Sequence, residues 1–221
     1  MLKKVLIAED HESANISVQK TLLDLGIIAP EYNYYCDDAF RQIEIALRER
    51  NPFDLLITDL YFDDDHRPQR LLGGAELIKK VKQLQPNIKV LVFSAEDRIA
   101  IIDSLFNDLN IDGYVRKGRH DAKELKVAIE AIGNGNKHLA ANLKEQLKEK
   151  NSHEFTFFDI TVLTLLSKGI LQKDIPLYLQ QNNIKPSGLS SVEKRLNIMK
   201  EVLNFSKNEQ LIVYCKDFGL I

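Results

Sequence analysis

Leu55-Leu56-Ile57-Thr58-Asp59 is a short apolar run that stops on an acid. A run this short fits a parallel strand buried on both faces better than a helix. In an open parallel α/β sheet, ligands and chemistry gather beyond the carboxyl ends of the strands. Asp59 falls at that edge, so the other strand ends decide what it does.

Three more apolar runs deliver groups to the same edge. Lys4-Val5-Leu6-Ile7-Ala8 is followed by Glu9-Asp10, Lys89-Val90-Leu91-Val92-Phe93 by Ser94-Ala95, and Gly113-Tyr114-Val115-Arg116 by Lys117. A single acid at a strand end carries little weight, because about a quarter of an average sequence is charged. Separate strands that each supply one part of a single reaction carry much more.

The 221 residues suit one large domain or two small ones. With 44% hydrophobic and 28% charged residues the chain can bury a core. Residues 1–150 hold 22 Lys+Arg against 25 Asp+Glu, and the remainder 8 against 7. A charge of +1 on the second part permits nucleic-acid binding without arguing for it. No apolar run reaches the ~18 residues of a membrane span, and no signal-peptide pattern opens the chain. Cys36 and Cys215 fit no metal or redox spacing, so reduced thiols and a cytoplasmic location are expected.

From Glu12 the chain alternates helical and strand patterns. Gly26 closes a first helix, Glu31 to Cys36 makes an edge strand, and Asp37 or Asp38 caps a helix stopped by Asn51-Pro52. A long loop from Leu60 to Leu72 contains Asp63-Asp64-Asp65-His66-Arg67-Pro68, and Gly73-Gly74 opens the next helix. Further helices are expected near Asp97 to Leu109 and from Asp121. This alternation predicts a doubly wound α/β fold with a five-stranded parallel sheet. Gly133-Asn134-Gly135-Asn136 breaks the pattern. The expected division is residues 1–135, a polar, lysine-rich linker over 136–153, and an all-helical module over 154–221. Thr156-x-x-Asp159, Ser190-x-x-Glu193 and Ser206-x-x-Glu209 read as capping boxes.

The chemistry that fits the strand ends is phosphorylation of a carboxylate, in which Asp59 attacks a phosphoryl donor and holds the group as an acyl phosphate. Nucleophile and transferring group are both anionic, so cations are needed at short range. Mg²⁺ takes oxygen ligands from one or two carboxylates, water and phosphate. Asp10 and Asp59 would supply the carboxylates, Glu9 would bind through water, and the Tyr61 carbonyl would complete the set. Lys117 would pair with one phosphoryl oxygen and Ser94 would donate to another.

Glu9-Asp10, Asp59, Ser94-Ala95 and Tyr114-x-x-Lys117 together resemble the receiver domain of bacterial two-component response regulators. The resemblance covers residues 1–135 and implies strand order 2-1-3-4-5. It also implies a sensor histidine kinase or phosphotransfer protein as donor, and Ser94 with Tyr114 as the switch pair. Receivers usually carry a proline shortly after the phosphoacceptor, and Tyr61-Phe62-Asp63 has none. The long loop and Leu109-Asn110-Ile111-Asp112-Gly113 are similar to the capsule-synthesis (Rcs) regulator branch.

Phe155 to Ile221 resembles the helix-turn-helix effector of the NarL/LuxR family. The matching words are Phe155-Thr156-x-x-Asp159, Val162-Leu163-x-Leu165-Leu166, Gly169, Lys173-x-Ile175 and Gly219-Leu220-Ile221. The resemblance implies DNA binding by a homodimer, with Lys173 on phosphate and a recognition helix from Ser191 to Leu203. Val192, Leu196, Met199 and Leu203 form its core face. Glu193, Lys194 and Asn197 would face the groove, flanked by Arg195 and Lys200. Glu193 stands where the family has Lys or Arg, Ile198 replaces a usual Asn, and the turn from Leu179 to Val192 is long.

The expectation is a non-enzymatic transcription regulator controlled by phosphorylation at Asp59. The rival is a phosphorylation-dependent protein-interaction switch whose helical module no longer binds DNA. An Asp-nucleophile phosphatase is disfavoured, because such enzymes place a second Asp where Tyr61 stands.

Overall fold

The computed structural model describes residues 2–150 and 155–221, without the side chains of 146–150. Two compact units result, the first within residues 1–144 and the second built on 145–221.

In the first unit, strands β1 (Val5–Ala8), β2 (Glu31–Asn33), β3 (Leu55–Thr58), β4 (Lys89–Ser94) and β5 (Gly113–Arg116) alternate with helices α1 (Glu12–Asp24), α2 (Cys36–Arg48), α3 (Gly74–Leu84), α4 (Ile99–Asn107) and α5 (Asp121–Gly133). All strands pair in parallel, and the order β2-β1-β3-β4-β5 matches the expectation. β1 and β3 are buried at every position, which is why they read as continuous apolar runs. Their side chains alternate between the two faces. Val5, Ile7, Leu55, Ile57, Leu91, Phe93 and Val115 pack with Val18 and Leu22 of α1 and with Leu125, Ala128, Ile129 and Ile132 of α5. Helices α2 and α3 contact one another, and α2 also contacts β1.

The sheet has one strand more than expected. β6 (His138–Leu139) pairs with β5 at Gly113 and Tyr114, in residues that the sequence reading assigned to the linker. The His138 N–H donates to Asp112 O at 2.9 Å, and its ring meets Glu124 at 2.7 Å. Two residues are too few to show an alternating pattern. α6 (Ala141–Lys150) follows.

One capping expectation and one helix span in this unit are corrected. α2 starts at Cys36 with Tyr35 as N-cap and no side-chain cap bond, so Asp37 and Asp38 lie inside its first turn. Their carboxylates are free to serve the loop after β3, as described below. α4 is also shorter at both ends than expected. Cys36 and Cys215 are buried free thiols, both pushed up to about 12 chiefly by burial, as inert core residues should be.

The second unit is all-helical. It comprises α7 (Phe157–Ser167), a 3₁₀ turn over Gln172–Asp174, α8 (Ile175–Gln181), α9 (Leu189–Val202) and α10 (Asn208–Asp217). Its core includes Val162, Leu163, Ile175, Leu179, Val192, Leu196, Met199 and Leu211. The Thr156–Asp159 capping box is present. The other two are not. α9 starts at Leu189 behind Gly188, which leaves Ser190 and Glu193 inside the helix. At α10 it is Gln210, not Glu209, whose Oε1 accepts from the Ser206 and Lys207 amides, at 2.9 and 3.0 Å.

Candidate functional site

The ends of β1, β3 and β5 bring Glu9, Asp59 and Lys117 into direct contact. Asp59 follows the last residue of β3, and its N–H still donates to Ala8 O at 3.1 Å, which holds its backbone to β1. Lys117 Nζ lies 2.6 Å from Asp59 Oδ2 and 2.8 Å from Glu9 Oε2. Asp59 Oδ1 accepts the Leu60 N–H at 2.5 Å. Glu9 and Asp59 are almost fully buried, with 2% and 5% of their surface exposed. Burial raises the Glu9 pKa against the pull of Lys117. Burial would lower that of Lys117, but its hydrogen bonds to Asp59 and Glu9 outweigh it and hold the ammonium charged.

One ligand atom from each of Glu9, Asp10, His11 and Asp59 lies within 4.8 Å of the others. The carboxylates form a hard-oxygen set of the kind that suits Mg²⁺. His11 belongs to this cluster but bonds through Nδ1 to Asp10 Oδ1 at 2.9 Å. Tyr61, expected to contribute its carbonyl, donates its hydroxyl to Glu96, outside this cluster.

Ser94 is fully buried, and among the described residues its Oγ has no hydrogen-bond partner. A buried hydroxyl left unpaired costs about 1–3 kcal/mol, so an arriving acceptor is favoured there. Tyr114 is also fully buried, its hydroxyl donating to the Glu96 carbonyl. The β4 and β5 ends are stitched together by Lys117 N–H to Ser94 O at 2.8 Å. Glu96 thus touches both Tyr61 and Tyr114, a role that no motif announced.

The loop after β3 starts beneath a tight backbone contact. Gly74 N–H donates to Leu60 O at 3.0 Å, and a Cβ on Gly74 would sit 1.8 Å from Asp59 O. Tyr61 and Gly73 form an antiparallel bridge that closes the loop at its base.

In the second unit, Lys173 is exposed in the 3₁₀ turn, and Glu193, Lys194 and Asn197 are exposed on α9, whose opposite face is core. Lys200 is partly buried, and Glu193 lies 3.4 Å from the amide of Gln172. Arg195 is engaged elsewhere. Its Nε and Nη2 reach Asp159 at 2.6 and 2.7 Å, and Asp159 is fully buried at the start of α7. Burial would raise the Asp159 pKa, but Arg195 and the Thr156 cap hold it below its ordinary 3.8. A depressed carboxylate stabilises the fold above its unfolded pKa, and the contribution is lost as pH falls below 3.8 through the folded value. Asp159→Asn is therefore expected to cost about 2 kcal/mol at neutral pH. In urea titrations its deficit against wild type should shrink in strong acid, and a pH-independent deficit would contradict the ion pair.

Together the two units have the fold of a receiver joined to a helix-turn-helix effector. This is the fold of solved RcsB response regulators. A structure of the Salmonella typhimurium RcsB response regulator is 21% identical with a TM-score of 0.59, covering 97% of this chain and 98% of that one. A structure of two RcsB dimers bound to two parallel DNAs is 21% identical with a TM-score of 0.63, covering 98% and 99%. The isolated receiver domain of RcsB from Salmonella enterica serovar Typhimurium, with the phosphomimetic BeF3−, is 24% identical with a TM-score of 0.51. That likeness spans 66% of this chain and 98% of the other. No protein-family model matches the chain, and no curated protein sequence matches it significantly.

Proposed function

We propose that this protein is a phosphorylation-controlled, DNA-binding transcription regulator. The observation that carries the reading is the buried Glu9–Lys117–Asp59 arrangement at the strand ends, with the unpaired Ser94 hydroxyl on the neighbouring strand. Asp59 receives the phosphoryl group from a histidine kinase or phosphotransfer protein. The incoming phosphoryl oxygens take over the Lys117 ammonium, and Ser94 turns its hydroxyl toward them. Glu9, Asp10 and Asp59 would hold Mg²⁺, which supplies charge neutralisation at the transferring group. Tyr114, bonded to the carbonyl of Glu96, couples movement of the Ser94 strand end to its own side chain.

Residues 1–135, extended by β6, act as receiver, and 154–221 as effector. The added charge of roughly −1.5 to −2 biases homodimer formation. Two effectors in one dimer gain effective concentration on paired half-sites. Lys173, Lys194, Asn197 and Lys200 are the candidate DNA contacts. Arg195 contributes by seating α9 on α7 through Asp159. The chain works in the cytoplasm. RcsB structures on DNA and on promoters support this reading.

Activation with beryllofluoride and Mg²⁺ is expected to tighten duplex binding by about a hundredfold. Log affinity should fall linearly with log salt as phosphates are neutralised. The exposed acid at Glu193 favours the second reading, a protein-interaction switch. Duplex binding no better than that of a receiver-only fragment would favour that one instead.

A further inference from the structure

The loop over residues 60–72 has no regular secondary structure beyond the bridge at its base. Loops of this length are either functional or loosely held. This one is tied down at several points. Arg67 Nη1 and Nη2 make a two-pronged contact with Asp38 at 2.7 and 2.8 Å. Its guanidinium also stacks 4.1 Å over the Tyr35 ring, and the Tyr35 hydroxyl donates to Asp65. Asp37 accepts the Arg70 and Leu71 amides at 2.8 and 3.0 Å. Exposed ion pairs usually contribute little, but a bidentate guanidinium stacked on an aromatic ring is the exception. The far end of this chain of contacts is the Asp63 N–H, which donates to Asp10 Oδ2 at 2.6 Å. A proline at position 63 would have no such donor.

Granting that Asp10 is a cation ligand, we infer that the 60–72 strap positions its carboxylate: docking of Arg67 on Asp38 and Tyr35 holds the Asp63 amide against Asp10 Oδ2. The other carboxylate oxygen, Oδ1, is held by His11, so the carboxylate is fixed in orientation from two sides. Hydrogen bonds behind a metal ligand orient it and commonly govern affinity by about 10–100-fold. Arg67 is a positioning residue and touches neither donor nor cation.

Calorimetric titration of the full chain with Mg²⁺ tests this without any phosphoryl donor. Arg67→Ala is expected to weaken binding by about tenfold while its urea midpoint stays close to wild type. Arg67→Lys should not restore binding, since an ammonium lacks the planar fork. Asp38→Ala should match Arg67→Ala, and the double variant should be no weaker than either, because both break one latch. Asp63→Pro should weaken binding with Arg67 left intact. If Asp10→Asn binds as wild type, the cation-site reading fails. If Asp10→Asn loses binding while Arg67→Ala and Asp63→Pro bind as wild type or tighter, the positioning role is overturned and the site stands.

Discussion

Asp59→Asn is expected to abolish uptake of a phosphoryl group from acetyl phosphate and Mg²⁺, read as a mass increment on the intact chain. The amide is a far weaker nucleophile than the carboxylate, and it removes the charge that draws Lys117 Nζ to 2.6 Å. Lys117 keeps Glu9 at 2.8 Å, so neither buried charge is stranded and the fold should persist. The loss is then chemical rather than structural. Labelling that continues at the wild-type level, on Asp10 or elsewhere, would reject Asp59 as the acceptor.

Gly74→Ala should be the most damaging single methyl in the first unit. Its Cβ would lie 1.8 Å from Asp59 O, 2.8 Å from Asp59 C and 3.1 Å from the Leu60 Cα. All three are backbone atoms, so no rotamer change relieves the clash. Either the start of α3 or the peptide after the acceptor carboxylate must move. Overpacking a rigid site costs about 3 kcal/mol or more, and here it also displaces Asp59 from Lys117. The urea midpoint should fall with little change in slope, together with phosphoryl uptake. Gly118→Ala is the matched control, because a Cβ there meets nothing within 4 Å. Equal stability of the two variants would contradict the packing described.

The fold of the first unit was legible because four of its strands, β1, β3, β4 and β5, are short, mostly apolar and largely buried. Each one also ended on a group with chemical meaning. Glu9, Asp59, Ser94 and Lys117 needed only the rule that parallel strands converge at one edge. Asp37 and Asp38 were misread for a local reason. Acids before a helical pattern are usually caps, whereas these two serve the distant residues Arg67, Arg70 and Leu71. Contacts of that kind have no sequence period. Glu96 was missed because its partners, Tyr61 and Tyr114, come from two other strand ends. The pairing of Arg195 with Asp159 was not legible, because a basic residue on an expected recognition helix suggests DNA and Asp159 lies 36 positions away in the chain.

The sixth strand bears on how the first unit can be isolated. β6 covers Gly113 and Tyr114 of β5, leaving that flank of the sheet without open hydrogen-bonding groups at those positions. A fragment cut at residue 135 would bare the backbone of β5 beside a buried aromatic ring, the kind of margin that recruits foreign strands. Fragments extending beyond Leu139 keep that margin closed.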